Sequence, residues 1–274
     1  MIIRTLVDNT SISEEFNSEH GLCLYIETKK HKLLFDLGAS PLFIENAKKL
    51  NVDLSEIDLV VISHGHYDHG GGLKAFLNVN SRAKIYLNQK AFHKYYSKRP
   101  NGDKVYIGLD GGLLPTDRFI FVRDHLIIDD ELQLFSNIKG KKLTAHGNQN
   151  LLMELTTSMV QDDFSHEQNL IINEGCTTLL VSGCAHNGIV NIIDHFTTEM
   201  NGLLSHVIGG FHLSNGSANK CEDLSLISQI GEYLKNTDLN YYTCHCTGIE
   251  PYKKLKEILG GKIHYLATGS QLII

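Results

Sequence analysis

The sequence predicts one α+β domain in which two β-sheets pack together and helices lie outside them. Two observations lead to this fold class. Short apolar runs typical of buried strands recur along all 274 residues, and amphipathic helical segments are interspersed with them in both halves. No low-complexity linker or short repeat divides the chain, so residues 1–274 are expected to form a single domain.

The first half is predicted to be rich in strands, with three short helices. In chain order, strands are predicted at 1–8, 21–27, 31–36, 58–63 and 83–88, and helices at 41–50, 70–77 and 89–100. Pro41 suits the first turn of its helix. The helix at 89–100 is inferred from the near-helical spacing of Phe92, Tyr95 and Tyr96. Residues 101–117 contain Asn-Gly and Asp-Gly-Gly, which predict a loop.

The second half repeats this mixture of strands and helices. Strands are predicted at 118–122, 125–128, 131–136, 151–156, 169–173, 177–183, 205–209, 240–244 and 262–267, and helices at 188–200, 222–235 and 250–259. Each of the first two helices has one apolar face, which predicts packing against a sheet.

Composition and charge exclude several classes of function. A net charge of -6 argues against a general nucleic-acid binder. No run approaches the ~18 apolar residues of a spanning helix, and the N-terminus resembles a first strand more than a signal peptide. We expect a cytoplasmic protein with a small-molecule substrate and no nucleic-acid or membrane partner; oligomerisation stays open.

The six cysteines are expected to be free thiols, because the chain lacks a secretion signal and a Cys-x-x-Cys motif. Most are expected to be small core residues. Cys184, Cys244 and Cys246 differ because they flank candidate metal-binding histidines. Ligation of a metal by one of these thiolates is left open.

The most informative segment is 63–72 (SHGHYDHGGG), which holds His64, His66, Asp68 and His69. An apolar strand precedes it, and glycines that let the backbone approach an ion follow it. Imidazole and carboxylate are common ligands of zinc, iron and manganese. This context favours a two-metal site over a surface loop that is rich in histidine.

Three further histidines follow predicted strands. His186, His212 and His245 each lie where an apolar run gives way to a turn. If these strands share a sheet, their ends can converge on the site that begins at His64. The alternative for each is a hydrogen-bonded histidine at a sheet edge. Asp36 also ends a buried strand, where it is expected to orient metal ligands; a turn cap before Gly38 is the alternative.

The order of Asp36, the His64-x-His66-x-Asp68-His69 array, His186 and His245 resembles the metallo-β-lactamase superfamily over nearly the whole chain. The resemblance implies a four-layer αβ/βα sandwich with a two-metal site in the cleft between the sheets. It further implies two sets of ligands, which are His64, His66 and His186 for one metal and Asp68, His69 and His245 for the other.

The resemblance has one departure. The superfamily usually supplies a bridging aspartate at a strand end, where this sequence has residues 209–212 (GGFH). Histidine cannot bridge two ions as a carboxylate does, so His212 either binds one ion or lies near the substrate, or the second site is weak. Segments 162–170, 182–186, 209–213 and 244–248 are also similar to a subgroup, the 7,8-dihydropterin-6-yl-methyl-4-(β-D-ribofuranosyl)aminobenzene 5′-phosphate synthases.

The implied cofactors are two divalent metal ions, with zinc foremost and iron or manganese as alternatives. A metal-bound hydroxide would hydrolyse a small, phosphorylated or otherwise anionic substrate. Asp68 would bind metal and orient the nucleophile, and a protonated His212 or His166 would stabilise the departing oxygen. For His166 a structural role as a strand cap is an equal alternative.

Residues 88–117 are predicted to form a lid over the cleft. Tyr95 and Tyr96 could stack on a flat ring, and Lys98 and Arg99 could meet phosphate. A solvated amphipathic helix is the alternative. Ser270 could add a hydroxyl donor, although an ordinary tight turn is favoured there. Competing functions are a synthase like that subgroup, a di-iron redox protein and a metal-binding protein without turnover.

Overall fold

The computed structural model describes residues 1–114, 116–215 and 220–274. The strands of the first half are β1 (Ile2–Val7), β2 (Cys23–Glu27), β3 (Lys32–Phe35), β4 (Leu59–Val61), β5 (Lys84–Asn88), β6 (Tyr95–Lys98), β7 (Lys104–Tyr106), β8 (Phe119–Val122), β9 (His125–Ile127) and β10 (Leu132–Ser136). Those of the second half are β11 (Leu151–Leu155), β12 (Ser158–Gln161), β13 (Gln168–Glu174), β14 (Thr177–Val181), β15 (His206–Gly209), β16 (Ser214–Asn215), β17 (Lys220–Cys221), β18 (Asn240–Thr243), β19 (Ile263–Tyr265) and β20 (Gln271–Ile273).

The helices are α1 (Leu42–Lys49), α2 (Tyr67–Gly70), α3 (Leu73–Val79), α4 (Ile189–Asp194), α5 (Leu224–Lys235) and α6 (Ile249–Leu259). A π-helical segment, His195–Glu199, continues α4. In α5, the Asp223 side chain accepts a hydrogen bond from the Ser225 N–H and so caps the N-terminus. None of the helices in the described residues is long and apolar enough to cross a membrane.

Two seven-stranded sheets form the framework. The first has the order β20-β1-β2-β3-β4-β5-β8, and the second has the order β19-β18-β15-β14-β13-β10-β9. A smaller sheet has the order β12-β11-β6-β7, and β16 pairs with β17. Both large sheets mix parallel and antiparallel pairs.

Three apolar clusters separate the layers. In β3, Leu33 and Phe35 belong to a core that also contains residues of β13 and β14, whereas Leu34 packs with residues of α1 and α3. In β14, Leu179 faces the same inter-sheet core and Leu180 packs with residues of α4, α5 and α6. Alternate side chains therefore contact a sheet on one side and helices on the other. The predicted α+β fold, a four-layer αβ/βα sandwich, is confirmed.

The topology brings the ends of several strands together. β3 is parallel to β4 in the first sheet, and β14, β15 and β18 are mutually parallel in the second. Parallel neighbours present their carboxyl ends at one edge of a sheet. The candidate residues that follow these strands are Asp36, His64, His186, His212 and His245.

The predicted helix at 89–100 is wrong. Residues 95–98 form β6, in which Ser97 pairs with Leu151 of β11 and Val105 of β7. The aromatic spacing suggested a helix, but pairing with a strand more than fifty residues away decided the outcome. The predicted loop at 101–117 contains β7, and the short strands β12 and β20 were not predicted.

Candidate metal centre

His64, His66 and His186 form the first group of donors. One ligand atom from each lies within 4.8 Å of the others. The His64 ring centroid is 4.6 Å from that of His66 and 4.9 Å from that of His186. All three side chains are buried. Burial, followed by neighbouring imidazoles, lowers the pKa of His64 and His186 well below its ordinary value, so both rings are neutral as metal ligation requires.

Asp68 is the centre of the second group. Its Oδ2 lies 3.4 Å from His245 Nε2 and 3.7 Å from His69 Nε2. Burial would raise the pKa of Asp68, but the adjacent imidazoles outweigh it and hold the pKa well below its ordinary value. The His64 and His69 ring centroids are 4.1 Å apart, so the two groups are contiguous.

The Nδ1 atoms of four histidines are engaged by neighbouring side chains. The pairs are His64 with Ser63 Oγ at 2.8 Å, His69 with Asp36 Oδ2 at 2.6 Å, His186 with Asn148 Oδ1 at 3.0 Å and His245 with Asn9 Oδ1 at 2.7 Å. Amide and carboxylate oxygens only accept, and the Ser63 hydroxyl hydrogen already goes to Asp36. In the neutral rings of His64, His186 and His245, Nδ1 therefore carries the proton and Nε2 presents a lone pair; His69 Nδ1 likewise donates to Asp36.

Buried nitrogens without partners provide the test of whether these residues fit a metal. Within residues 1–114, 116–215 and 220–274, the Nε2 atoms of four histidines are buried with no hydrogen-bond partner: His64, His66, His186 and His245. An unpaired buried polar atom costs about 1–3 kcal/mol, so several in one place require an explanation. Anchored imidazoles whose other nitrogens converge are the arrangement that holds divalent metals, and this donor set fits one.

Asp36 orients the metal-donor residues that the first sheet supplies. Its buried carboxylate accepts hydrogen bonds from the Ser63 N–H and the Ser63 hydroxyl, each at 2.7 Å, and from His69 Nδ1. Asp36 adopts a φ of 61°, a conformation that few residues other than glycine occupy. Burial would lower the pKa of His69, but Asp36 and Asp68 outweigh it and raise the pKa to about 9.

His166 lies behind the donors instead of in the cleft. Its Nδ1 accepts the Gly65 N–H at 2.8 Å, and its Nε2 lies 3.0 Å from Asp162 Oδ2. The side chain is fully buried and stacks on the Tyr95 ring at 4.0 Å. Both nitrogens are engaged, so this geometry makes His166 a residue that positions the metal loop and argues against the predicted proton transfer.

His212 extends the histidine cluster toward the cleft. Its ring lies 4.2 Å from the His186 ring, and its buried Nδ1 has no hydrogen-bond partner among the described residues. Cys184 and Cys246 reach the same region, with Cys184 Sγ 3.1 Å from His69 Nε2. Cys244 lies in the inter-sheet core. The cysteines that flank the histidines thus divide into two at the site and one in the apolar interior.

The pKa values of the two thiols at the site, Cys184 and Cys246, are shifted in opposite directions. Burial raises the pKa of Cys184 well above its ordinary value. Burial would also raise the pKa of Cys246, but the neighbouring Cys184, His212 and His245 side chains outweigh it and hold the pKa well below its ordinary value.

A cleft of about 380 Å³ opens beside the donors and receives side chains from β6. Ser97 and Arg99 line it. Tyr96 and Lys98 alternate to the opposite face, where the Tyr96 hydroxyl donates to Glu154 Oε2 at 2.7 Å. Tyr95 is buried and its hydroxyl donates to the Lys90 carbonyl. Of the four predicted substrate contacts in 88–117, the structure thus brings Arg99 to the cleft.

Ser270 does not line this cleft. Its N–H donates to the Ala267 carbonyl at 2.9 Å, and its carbonyl accepts from the Thr5 N–H at 3.0 Å. These bonds belong to the turn before β20, which matches the favoured alternative of an ordinary tight turn.

Sequence reasoning missed three residues that hold or extend the site, namely Asn9, His20 and Asn148. The buried Glu167 carboxylate accepts the His186 N–H at 2.6 Å, and His20 Nε2 lies 3.3 Å from Asp68 Oδ2. Asn9 follows β1, which runs parallel to β3, so its position at a strand end was an available signal. No comparable signal marks Asn148 or His20.

Comparison with known proteins decides the family. The sequence profile of the Metallo-beta-lactamase superfamily matches residues 18–158, more than half of the chain. The chain belongs to the metallo-beta-lactamase superfamily. A solved structure described as a metal-dependent hydrolase of the beta-lactamase superfamily aligns with a TM-score of 0.83 and 30% identity, covering 100% of this chain and 99% of that one.

Two curated relatives come from Methanocaldococcus jannaschii. One is an uncharacterized protein, 28% identical over 94% of this chain and 94% of its own length. The other is a 7,8-dihydropterin-6-methyl-4-(beta-D-ribofuranosyl)-aminobenzene-5'-phosphate synthase, 27% identical over 89% of this chain and 86% of its length. The superfamily and the predicted likeness to that synthase are both confirmed, the latter as distant homology.

Proposed function

We propose that this protein is a metal-dependent hydrolase that cleaves a small anionic substrate in the cleft beside the histidine cluster. The observation that carries the proposal is the set of four buried, unpartnered Nε2 atoms next to a cleft lined by Arg99. Relatedness supports the reaction class, because a solved structure that is 30% identical and aligns over the whole chain is described as a metal-dependent hydrolase.

The residues that would hold metal fall into the two groups described above. His64, His66 and His186 would hold one ion, and Asp68, His69 and His245 the second. Histidine-rich ligation favours zinc, with iron or manganese as alternatives. A bound divalent ion supplies a nucleophile by lowering the pKa of its water to about 7 and polarises a substrate oxygen.

The chain's own polar groups complete the chemistry. Asp68 is fixed between imidazoles, so its carboxylate holds its orientation during turnover. His212 lines the cleft, where its imidazole can hold the proton that a departing oxygen needs. His20 lines the same cleft and offers a second proton carrier at Nε2.

Arg99 defines the substrate class. Among the cleft-lining residues in the described ranges, Arg99 supplies the cation, and Ser97 on the same face of β6 is a neighbouring hydroxyl donor. A guanidinium binds phosphate through two parallel hydrogen bonds. We therefore propose a phosphorylated ester as the substrate, with residues 88–117 supplying a lid.

A synthase reaction is the second candidate. The relative that is 27% identical is named for making a compound with a 5'-phosphate. Arg99 suits such a phosphate as well as it suits a hydrolase substrate. The two candidates differ in outcome, since a synthase would join two substrates and show no hydrolysis of simple phosphate esters.

The test combines metal analysis with a substrate panel. Purified protein is stripped with chelator, reloaded with zinc, iron or manganese, and assayed on phosphodiesters, phosphomonoesters and lactones. We expect bound divalent metal and turnover that chelator abolishes, with anionic substrates preferred. Stoichiometric metal without any turnover would contradict the proposal and favour a binding protein or a synthase. Iron-dependent oxygen consumption would favour the di-iron redox alternative.

A further inference from the structure

Cys184 lies where both groups of donors meet. Its Sγ is within 4.8 Å of a donor atom in each of three sets: His64 with His69, His186 with His212, and His245 with Cys246. The first set already joins a histidine from each proposed metal position. The Cys184 side chain is buried, and it lines the cleft.

We propose that Cys184 supplies a thiolate ligand shared by the two metal positions, in place of the bridging aspartate that this chain lacks. The proposal rests on the proposed function, since it requires that the histidine cluster binds metal. Zn–S and Zn–N bonds of ~2.3 and ~2.0–2.1 Å put two donors on one zinc ion at most about 4.4 Å apart. The 3.1 Å from Cys184 Sγ to His69 Nε2 fits this spacing, and the donors of the other two sets lie within 4.8 Å of Cys184 Sγ.

Two further observations support a ligand role for this cysteine. His64 and His186, whose Nε2 atoms lack partners, are both more than nine-tenths buried and belong to donor sets that include Cys184. Ala185, which follows Cys184, has a φ of 52°, an unusual conformation for alanine. A coordinating thiol gives up its proton outright, so burial of the metal-free thiol does not oppose ligation.

Close backbone approach allows the thiol to reach this position. Gly183 has no Cβ, and a Cβ there would lie 2.2 Å from the oxygen of Ser63, the residue that anchors His64. A larger residue at 183 would push the ends of β4 and β14 apart. The glycine thus keeps Cys184 between histidines from both sheets.

Cobalt spectroscopy tests the proposal directly. Protein stripped of metal is loaded with two equivalents of cobalt(II) in three forms: the wild type, Cys184→Ser and Cys244→Ser. Cys244 is the matched control because it is an equally buried cysteine in the apolar interior. We expect an intense near-ultraviolet thiolate-to-cobalt band in the wild type and the control, and its loss in Cys184→Ser.

Titration separates a shared ligand from a ligand of one ion or none. Cobalt affinity of Cys184→Ser should fall at least tenfold at both steps of the titration. Loss of the band with unchanged affinity at either step, or a band that survives in Cys184→Ser and disappears in Cys246→Ser, would overturn the proposal. If wild-type protein binds no cobalt, the proposed function itself fails; if it binds cobalt without the band, only the thiolate proposal fails.

A second measurement uses the wild-type chain and does not depend on how a variant folds. Metal-free and zinc-loaded protein are treated with iodoacetamide, and modified cysteines are mapped by mass spectrometry. Zinc should protect Cys184 at least tenfold. Equal labelling in both forms would contradict ligation by Cys184.

Discussion

The cleft has two walls that are built differently. The histidine wall (residues 63–69 with His186 and His245) is fixed by side-chain contacts, in which Asp36 anchors His69, Asn148 anchors His186 and Asn9 anchors His245. The β6 wall (residues 95–99) is held by pairing to β11 and to β7 and by the buried Tyr95 side chain. The side chains of β7 are all exposed. Under the proposed function, the histidine wall supplies the chemistry from a preorganised surface, and the β6 wall selects the substrate from a surface that adapts more easily.

The largest expected effect comes from the histidine wall itself. His64→Ala should remove bound metal and abolish activity, because it deletes a donor whose Nε2 has no other partner. Most of the fold should persist, since the apolar clusters do not include His64. Elemental analysis and circular dichroism measure the two properties. His125→Ala, an exposed histidine on β9, is the control, and unchanged metal content in His64→Ala would show that the site is misassigned.

The second largest effect is expected for Asp36, which accepts hydrogen bonds from residues of the histidine wall. Asp36→Ala removes the acceptor for two Ser63 donors and for His69, all buried. We expect metal affinity to fall about 10–100-fold and the free energy of unfolding to fall by about 3 kcal/mol. Metal titration and urea denaturation measure these changes. Asp36→Asn keeps one acceptor oxygen, so its metal affinity and free energy of unfolding should fall less. Equal decreases in both variants would argue that the charge of Asp36 alone matters.

A substitution in the β6 wall should weaken substrate binding and leave the metal content unchanged. Arg99→Ala should raise KM for a phosphorylated substrate about tenfold or more while metal content stays constant. Lys98→Ala is the matched control, because it removes the same charge from the other face of the strand. Steady-state kinetics measure KM and kcat for both variants. Equal increases in KM would mean that a general surface charge, and not a contact in the cleft, attracts the substrate.

The two walls also differ in how well the sequence predicts them. The spacing of His64, His66, Asp68 and His69 after an apolar strand is a local signal. Apolar periodicity likewise predicts two β-sheets with helices outside them, whereas the four-layer order is what the resemblance to the superfamily implies. Segment 89–100 carries no such local signal, because its strand conformation comes from pairing with β11, which lies far away in sequence. The polar anchor Asn148 lies outside any regular pattern.

The smallest effect is expected for Tyr96, a residue that the sequence analysis assigned to a lid in contact with substrate. As part of a helix, Tyr96 was expected to contact substrate, so its truncation would have weakened affinity. As part of β6, the side chain faces away from the cleft and its hydroxyl donates to Glu154. Tyr96→Ala should therefore leave KM, kcat and metal content within experimental error of the wild type in the assays used for Arg99→Ala. An increase in KM comparable to that of Arg99→Ala would show that residues 95–99 rearrange when substrate binds, and that the β6 wall closes as a lid.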